Sequence, residues 1–121
     1  MCIDLNSKAR PHIKRPTVAY KMFERRDGAL IGFYQRWYGY VIKNDTQKTG
    51  FNCFLNKADC IKSFKSSARF NAVICRVSIP KKATIKYGWY DSFVCIETSH
   101  LNIPKSIYQK AIKASRNSVA V

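Results

Sequence analysis

Carboxylates are the scarcest charged groups in this chain. Seven Asp and Glu stand against 22 Lys and Arg, a formal charge of +15 at pH 7. That shortage argues against a hydrolase of ordinary type, which needs a positioned acid or base pair. No paired carboxylates, activated nucleophile motif or phosphate-binding glycine loop occurs. Histidine is almost missing, with His12 and His100 isolated from each other. The five cysteines, Cys2, Cys53, Cys60, Cys75 and Cys95, contain no CxxC spacing. A zinc knuckle is therefore not expected, and no metal or other cofactor is implied. An odd count, with Cys53, Cys75 and Cys95 inside apolar runs, points to reduced, buried thiols in a reducing compartment. No apolar run approaches about 18 residues and the N-terminus has no apolar signal core, so neither a membrane span nor export is expected. The expected setting is the cytoplasm.

What is present is the composition of one folded domain. The chain has 121 residues, 46% of them hydrophobic, enough for a single core. Its charge excess lies on the body as well as the ends: residues 1–60 hold 11 basic and 5 acidic residues, and residues 61–121 hold 11 and 2. A net charge of this size repels itself in the compact state, so a neutralising partner is expected, either nucleic acid or an acidic macromolecular complex.

Residues 1–16, with two prolines and four cations, read as an extended basic arm. A single α+β domain is expected over 17–116, with a loose tail after it. Its strands are expected at 17–23, 29–34, 36–43, 50–55, 70–80, 83–87 and 92–98, giving an antiparallel or mixed sheet of about six strands. In the first strand, Val18, Tyr20 and Met22 share one face and Ala19, Lys21 and Phe23 the other. Arg25 to Gly28 reads as a hairpin turn, and Gly88 as a strand break. The central unit is strand–helix–strand, Gly50 to Pro80. Its helix begins at the cap residue Asn56 and turns Ala58, Ile61, Phe64 and Ala68 toward the sheet. A second helix follows Asn102-Ile103-Pro104, with Ile107, Tyr108, Ala111 and Ile112 on its apolar face.

Two constellations suit binding. Arg36-Trp37-Tyr38-Gly39-Tyr40 and Lys86-Tyr87-Gly88-Trp89-Tyr90 place flat rings beside cations, as a base-stacking groove requires. A basic surface is expected from the arm (Arg10, Lys14, Arg15), the turn (Arg25, Arg26), the central helix (Lys62, Lys65, Arg69) and the tail helix (Lys105, Lys110, Lys113, Arg116). Such residues suit phosphate contacts without sequence specificity. Asp91, Glu97, Thr98, Ser99 and His100 are close in sequence but match no catalytic motif, and no enzyme is expected.

The succession of Tyr20-Lys21, Gly50-Phe51-Asn52-Cys53-Phe54, a helix with an early alanine, and Val73-Ile74-Cys75-Arg76-Val77 resembles a reduced ADP-ribosyltransferase-type core over residues 17–98. Lys21 stands where that family has arginine or histidine, and Glu97 is the positional candidate for its glutamate. The chain also resembles small phage and prophage proteins with an Ile-Pro-Lys strand end, here Ile79-Pro80-Lys81. The second resemblance implies an anti-CRISPR-like, counter-defence inhibitor that blocks a nucleic-acid-binding host complex sterically. The alternative is a pocket for a nucleotide signal built from Trp37, Tyr38, Tyr87 and Trp89, with or without transferase chemistry.

Overall fold

The computed structural model describes residues 14–26, 29–32, 41–42, 50–65, 72–90 and 92–113. They form seven strands and two helices: β1 (Val18–Arg26), β2 (Ala29–Gly32), β3 (Val41–Ile42), β4 (Phe51–Phe54), α1 (Lys57–Lys65), β5 (Ala72–Ser78), β6 (Ile85–Tyr90), β7 (Phe93–Thr98) and α2 (Lys105–Lys113). The α+β class is as the sequence implies, and the sheet is antiparallel. Five strands make its continuous ladder, β6-β7-β4-β1-β5, rather than six, and the short β2–β3 hairpin joins the far half of β1.

β1 is the strand the others attach to. One edge pairs with β5 from Val18↔Ser78 to Glu24↔Ala72. The opposite edge is divided, meeting β4 at Tyr20↔Phe54 and β2 from Phe23↔Gly32 to Arg26↔Ala29. Since β4 and β5 are both antiparallel to β1, they run parallel to each other with β1 between them. The β4-α1-β5 unit is thus a split crossover, and α1 packs over the strand that divides it.

The period of two along each strand sends side chains to two cores. Ala19 and Phe23 of β1, Phe51 and Cys53 of β4, and Val73, Cys75 and Val77 of β5 face α2, whose Ile107, Tyr108, Ala111 and Ile112 complete that side. Tyr20, Met22, Phe54, Ile74 and Cys95 face α1. There Phe54 meets Tyr90 and Phe93 edge-on, at centroid distances of 6.0 and 6.1 Å.

Local details depart from expectation in four places. Asn56 Oδ1 does accept the Ala58 amide at 2.8 Å, so the α1 cap holds. Ala58, however, is exposed, and Cys60 is buried. Gly88 does not break β6: it is buried opposite Cys95, and the strand continues through Trp89 to Tyr90. Arg25 belongs to β1, on its core face, not to a turn. Asn102 pairs its backbone with Ser78 in both directions at 2.9 Å, and α2 begins only at Lys105.

Ile74 has no exposed surface, whereas Val18 is 40% exposed. Ile74→Ala is expected to lower unfolding stability in urea by about 2–5 kcal/mol, through lost burial and the cavity left behind. Val18→Ala should change it by no more than about 0.5 kcal/mol.

Candidate nucleic-acid interface

Folding divides the cations into two populations. Lys21 and Arg25, at i and i+4 on the core face of β1, are 6% and 8% exposed. The Lys21 amine donates to the Asn52 carbonyl at 3.1 Å and lies 5.9 and 5.8 Å from the Phe23 and Phe51 ring centroids. Burial holds its pKa below the ordinary lysine value, although the nearby Cys53 and Cys60 thiols act in the opposite sense. The same dryness pushes Cys53 up to about 11 and Cys60, Cys75 and Cys95 up to about 12. These four are free, buried thiols that stay protonated at neutral pH.

The second population is on the surface. Every charged residue classed as exposed among the described residues is a lysine or arginine. The described carboxylates, Glu24, Asp59 and Glu97, are all half-buried. Asp59 sits in the first turn of α1, where the positive helix end favours it. Glu97 lies against Gly50, so close that a Cβ there would come within 2.9 Å of Oε1. The exposed charge of the described residues is therefore cationic.

Among the sequence-predicted residues, Lys14, Arg15, Lys62, Lys86, Lys105, Lys110 and Lys113 are exposed. Arg26 ends β1 and Lys65 ends α1. Tyr87 and Trp89 share one face of β6 and are half-buried, with Tyr87 packed against the α2-side core. Arg10, Arg36, Trp37, Tyr38, Arg69 and Arg116 lie outside the described residues. So does the arm before Lys14.

α2 brings the strongest group together. Its apolar side is taken by the core, which leaves Ser106, Gln109, Lys110 and Lys113 on one outer stripe at helical spacing. These residues line an open concavity of about 410 Å³. Lys105 is exposed at the start of the same helix, and the helix carries no acidic residue. The arrangement offers ammonium, amide and hydroxyl donors along about 10 Å of helix, a spacing suited to successive oxyanions.

The strand-end cluster is held by backbone contacts. Thr98 Oγ1 donates to the His100 carbonyl at 2.8 Å, and Thr98 is fully buried. Ser99 Oγ accepts the Thr84 amide at 2.8 Å and lies 2.7 Å from His100 Nδ1. Among the described residues, no group of three or more His, Cys, Asp or Glu is placed to hold a metal ion. No described helix is long and apolar enough to cross a membrane.

Lys81 and Lys82, which no sequence pattern singles out, also belong to the cationic surface. They are exposed at the corner of a turn that also holds Arg15, a contact 65 to 68 residues long in sequence. No family model, curated protein or solved structure matches the chain.

Because the Lys21 amine is easier to deprotonate folded than unfolded, the unfolded chain binds more protons below the ordinary lysine value. This destabilisation is largest below the lowered pKa and vanishes as pH rises past about 10.4. Lys21→Met should therefore raise the urea midpoint at neutral pH, with the gain shrinking toward pH of about 10. A loss of stability at both pH values would mean that the hydrogen bond to Asn52 outweighs the burial.

Proposed function

We infer that this protein is a non-enzymatic binder of nucleic acid that docks through the phosphate backbone, with the outer stripe of α2 as its principal contact. The observation that carries this reading is the charge of the described surface: exposed charges among the described residues are all positive, and the three described acids are half-buried. Lys110 and Lys113 border a concavity, so a backbone laid along it meets both ammonium groups at once. Lysine on a helix gives charge and reach without a fixed fork, which favours positioning over base readout. Half-buried Tyr87 and Trp89 on one face of β6 are candidates for stacking on unpaired bases, while exposed Lys86 lies on the opposite face. The counter-defence role implied by the phage-protein resemblance is a special case, in which the blocked surface belongs to a host nucleic-acid-binding complex.

The test is binding of a labelled single-stranded oligonucleotide of about 20 nucleotides, read by fluorescence anisotropy. Lys110→Glu with Lys113→Glu should weaken affinity about tenfold or more, the loss of two phosphate contacts. Lys57→Glu with Lys62→Glu on α1 changes net charge by the same amount and should weaken it several-fold less. Equal losses would remove α2 as the contact, and no binding by the unaltered protein would remove the reading. Capture from a host lysate that survives nuclease would point to an acidic protein complex instead.

A further inference from the structure

Arg15 is attached to the fold in an uncommon way. Its Nη2 lies 3.1, 2.9 and 2.6 Å from the carbonyl oxygens of Pro80, Lys81 and Ala83. These carbonyls belong to one tight turn, closed by the Ala83 amide donating to the Pro80 carbonyl at 3.0 Å. Two protons on one nitrogen are thus shared among three acceptors. All hydrogen bonds of Arg15 to described residues run through Nη2, so Nε and Nη1 are not committed to any of them. A guanidinium has five donors in a rigid plane. Fixing it by one terminal nitrogen fixes where the others point.

The turn adds charge beside that fork. Lys81 and Lys82 occupy its two corner positions, from which side chains project outward, and both are exposed. Lys14 precedes Arg15 and is exposed as well. The Pro80–Ala83 turn follows β5 directly, and the Ser78–Asn102 bridge ties that strand end to the segment leading into α2. Turn and α2 therefore issue from one junction of the fold.

We propose that Arg15, Lys81 and Lys82 form a second, pre-organised phosphate-binding site, in which the guanidinium pinned through Nη2 by the Pro80–Ala83 carbonyls presents its Nη1 amino group, beside the two lysine ammoniums, to a backbone phosphate of the nucleic acid held along α2. The inference rests on the nucleic-acid reading for the source of the phosphate, but not for the site itself. A guanidinium with one amino group on the carbonyls keeps its other, Nη1, for an oxyanion, whereas a lysine has a single nitrogen for both. A cation already held by neutral carbonyls loses little side-chain freedom when an anion arrives, which is how pre-organisation raises affinity. The hydrogen bond from Nη1 to the phosphate is charge-assisted.

The test is nitrogen–proton NMR of the full chain, following the Arg15 Nε–Hε signal and the Lys81 and Lys82 amides. Inorganic phosphate and the single-stranded oligonucleotide are titrated separately at matched ionic strength. The expected result is a saturable shift of these signals with both ligands. Arg15→Lys keeps a donor for the carbonyl cage but removes the second amino group. Lys81→Gln with Lys82→Gln leaves the cage untouched. Each should weaken oligonucleotide affinity about tenfold, with an unchanged thermal midpoint. Saturable phosphate shifts without oligonucleotide binding would keep the site and remove the nucleic-acid reading. Oligonucleotide binding with no shift at Arg15, Lys81 or Lys82 would keep that reading and remove the site. Shifts equal to those at Lys57 and Lys62 would also overturn it, as unspecific charge attraction.

Discussion

The fold depends on the pairing of β1. This one strand carries the ladders to β5, β4 and β2, and α1 packs across it. Both cores draw on it as well, Ala19 and Phe23 on one side and Tyr20 and Met22 on the other. A register shift of one residue would exchange these sets, sending Tyr20 and Met22 into the space that Ala19 and Phe23 fill. The cationic residues Lys21 and Arg25 are buried because they fall on the core face of a strand that cannot slip. For Lys21, a carbonyl acceptor and two aromatic faces soften that burial without cancelling it.

The surface follows from where the few acids go. Glu97 folds against the backbone at Gly50, Asp59 serves the start of α1, and Glu24 is half-buried on β1. None of these three described acids is fully exposed. The apolar side of α2 is spent on the core, so its remaining side is polar and cationic by default. At the other end of the same junction, the Pro80–Ala83 turn engages Arg15 through its carbonyls and turns two lysines outward. A large field of one sign concentrated on defined elements is a means of attracting and orienting a polyanion.

Much of the fold was legible because local patterns decide local structure. Alternation in Val18–Phe23 placed its faces, Asn56 marked the start of α1, and the spacing of Ile107, Tyr108, Ala111 and Ile112 gave the buried side of α2. What was not legible is decided at a distance. Periodicity tells which face a residue takes but not which strand lies beside it, so nothing local revealed that β1 divides the β4-α1-β5 unit. Cys60 is buried and Ala58 exposed in α1, because the helix's contacts with β1 and β4 decide which of its residues face the sheet. Gly88 continues its strand because β7 supplies a full register of partners. In the candidate site, the α2 cations were evident from composition. The Arg15 cage was not, since its partners are backbone carbonyls distant in sequence, which carry no side-chain signature.

The most direct measurement is the salt dependence of binding to single-stranded nucleic acid. Each phosphate neutralised on a single strand contributes about −0.7 to the slope of log affinity against log salt, so three or four contacts should give roughly −2 to −3. A line of that steepness would show that the surface excess of Lys and Arg is what holds the ligand. A slope near zero, with measurable binding, would contradict the account and place the affinity in the aromatic residues instead.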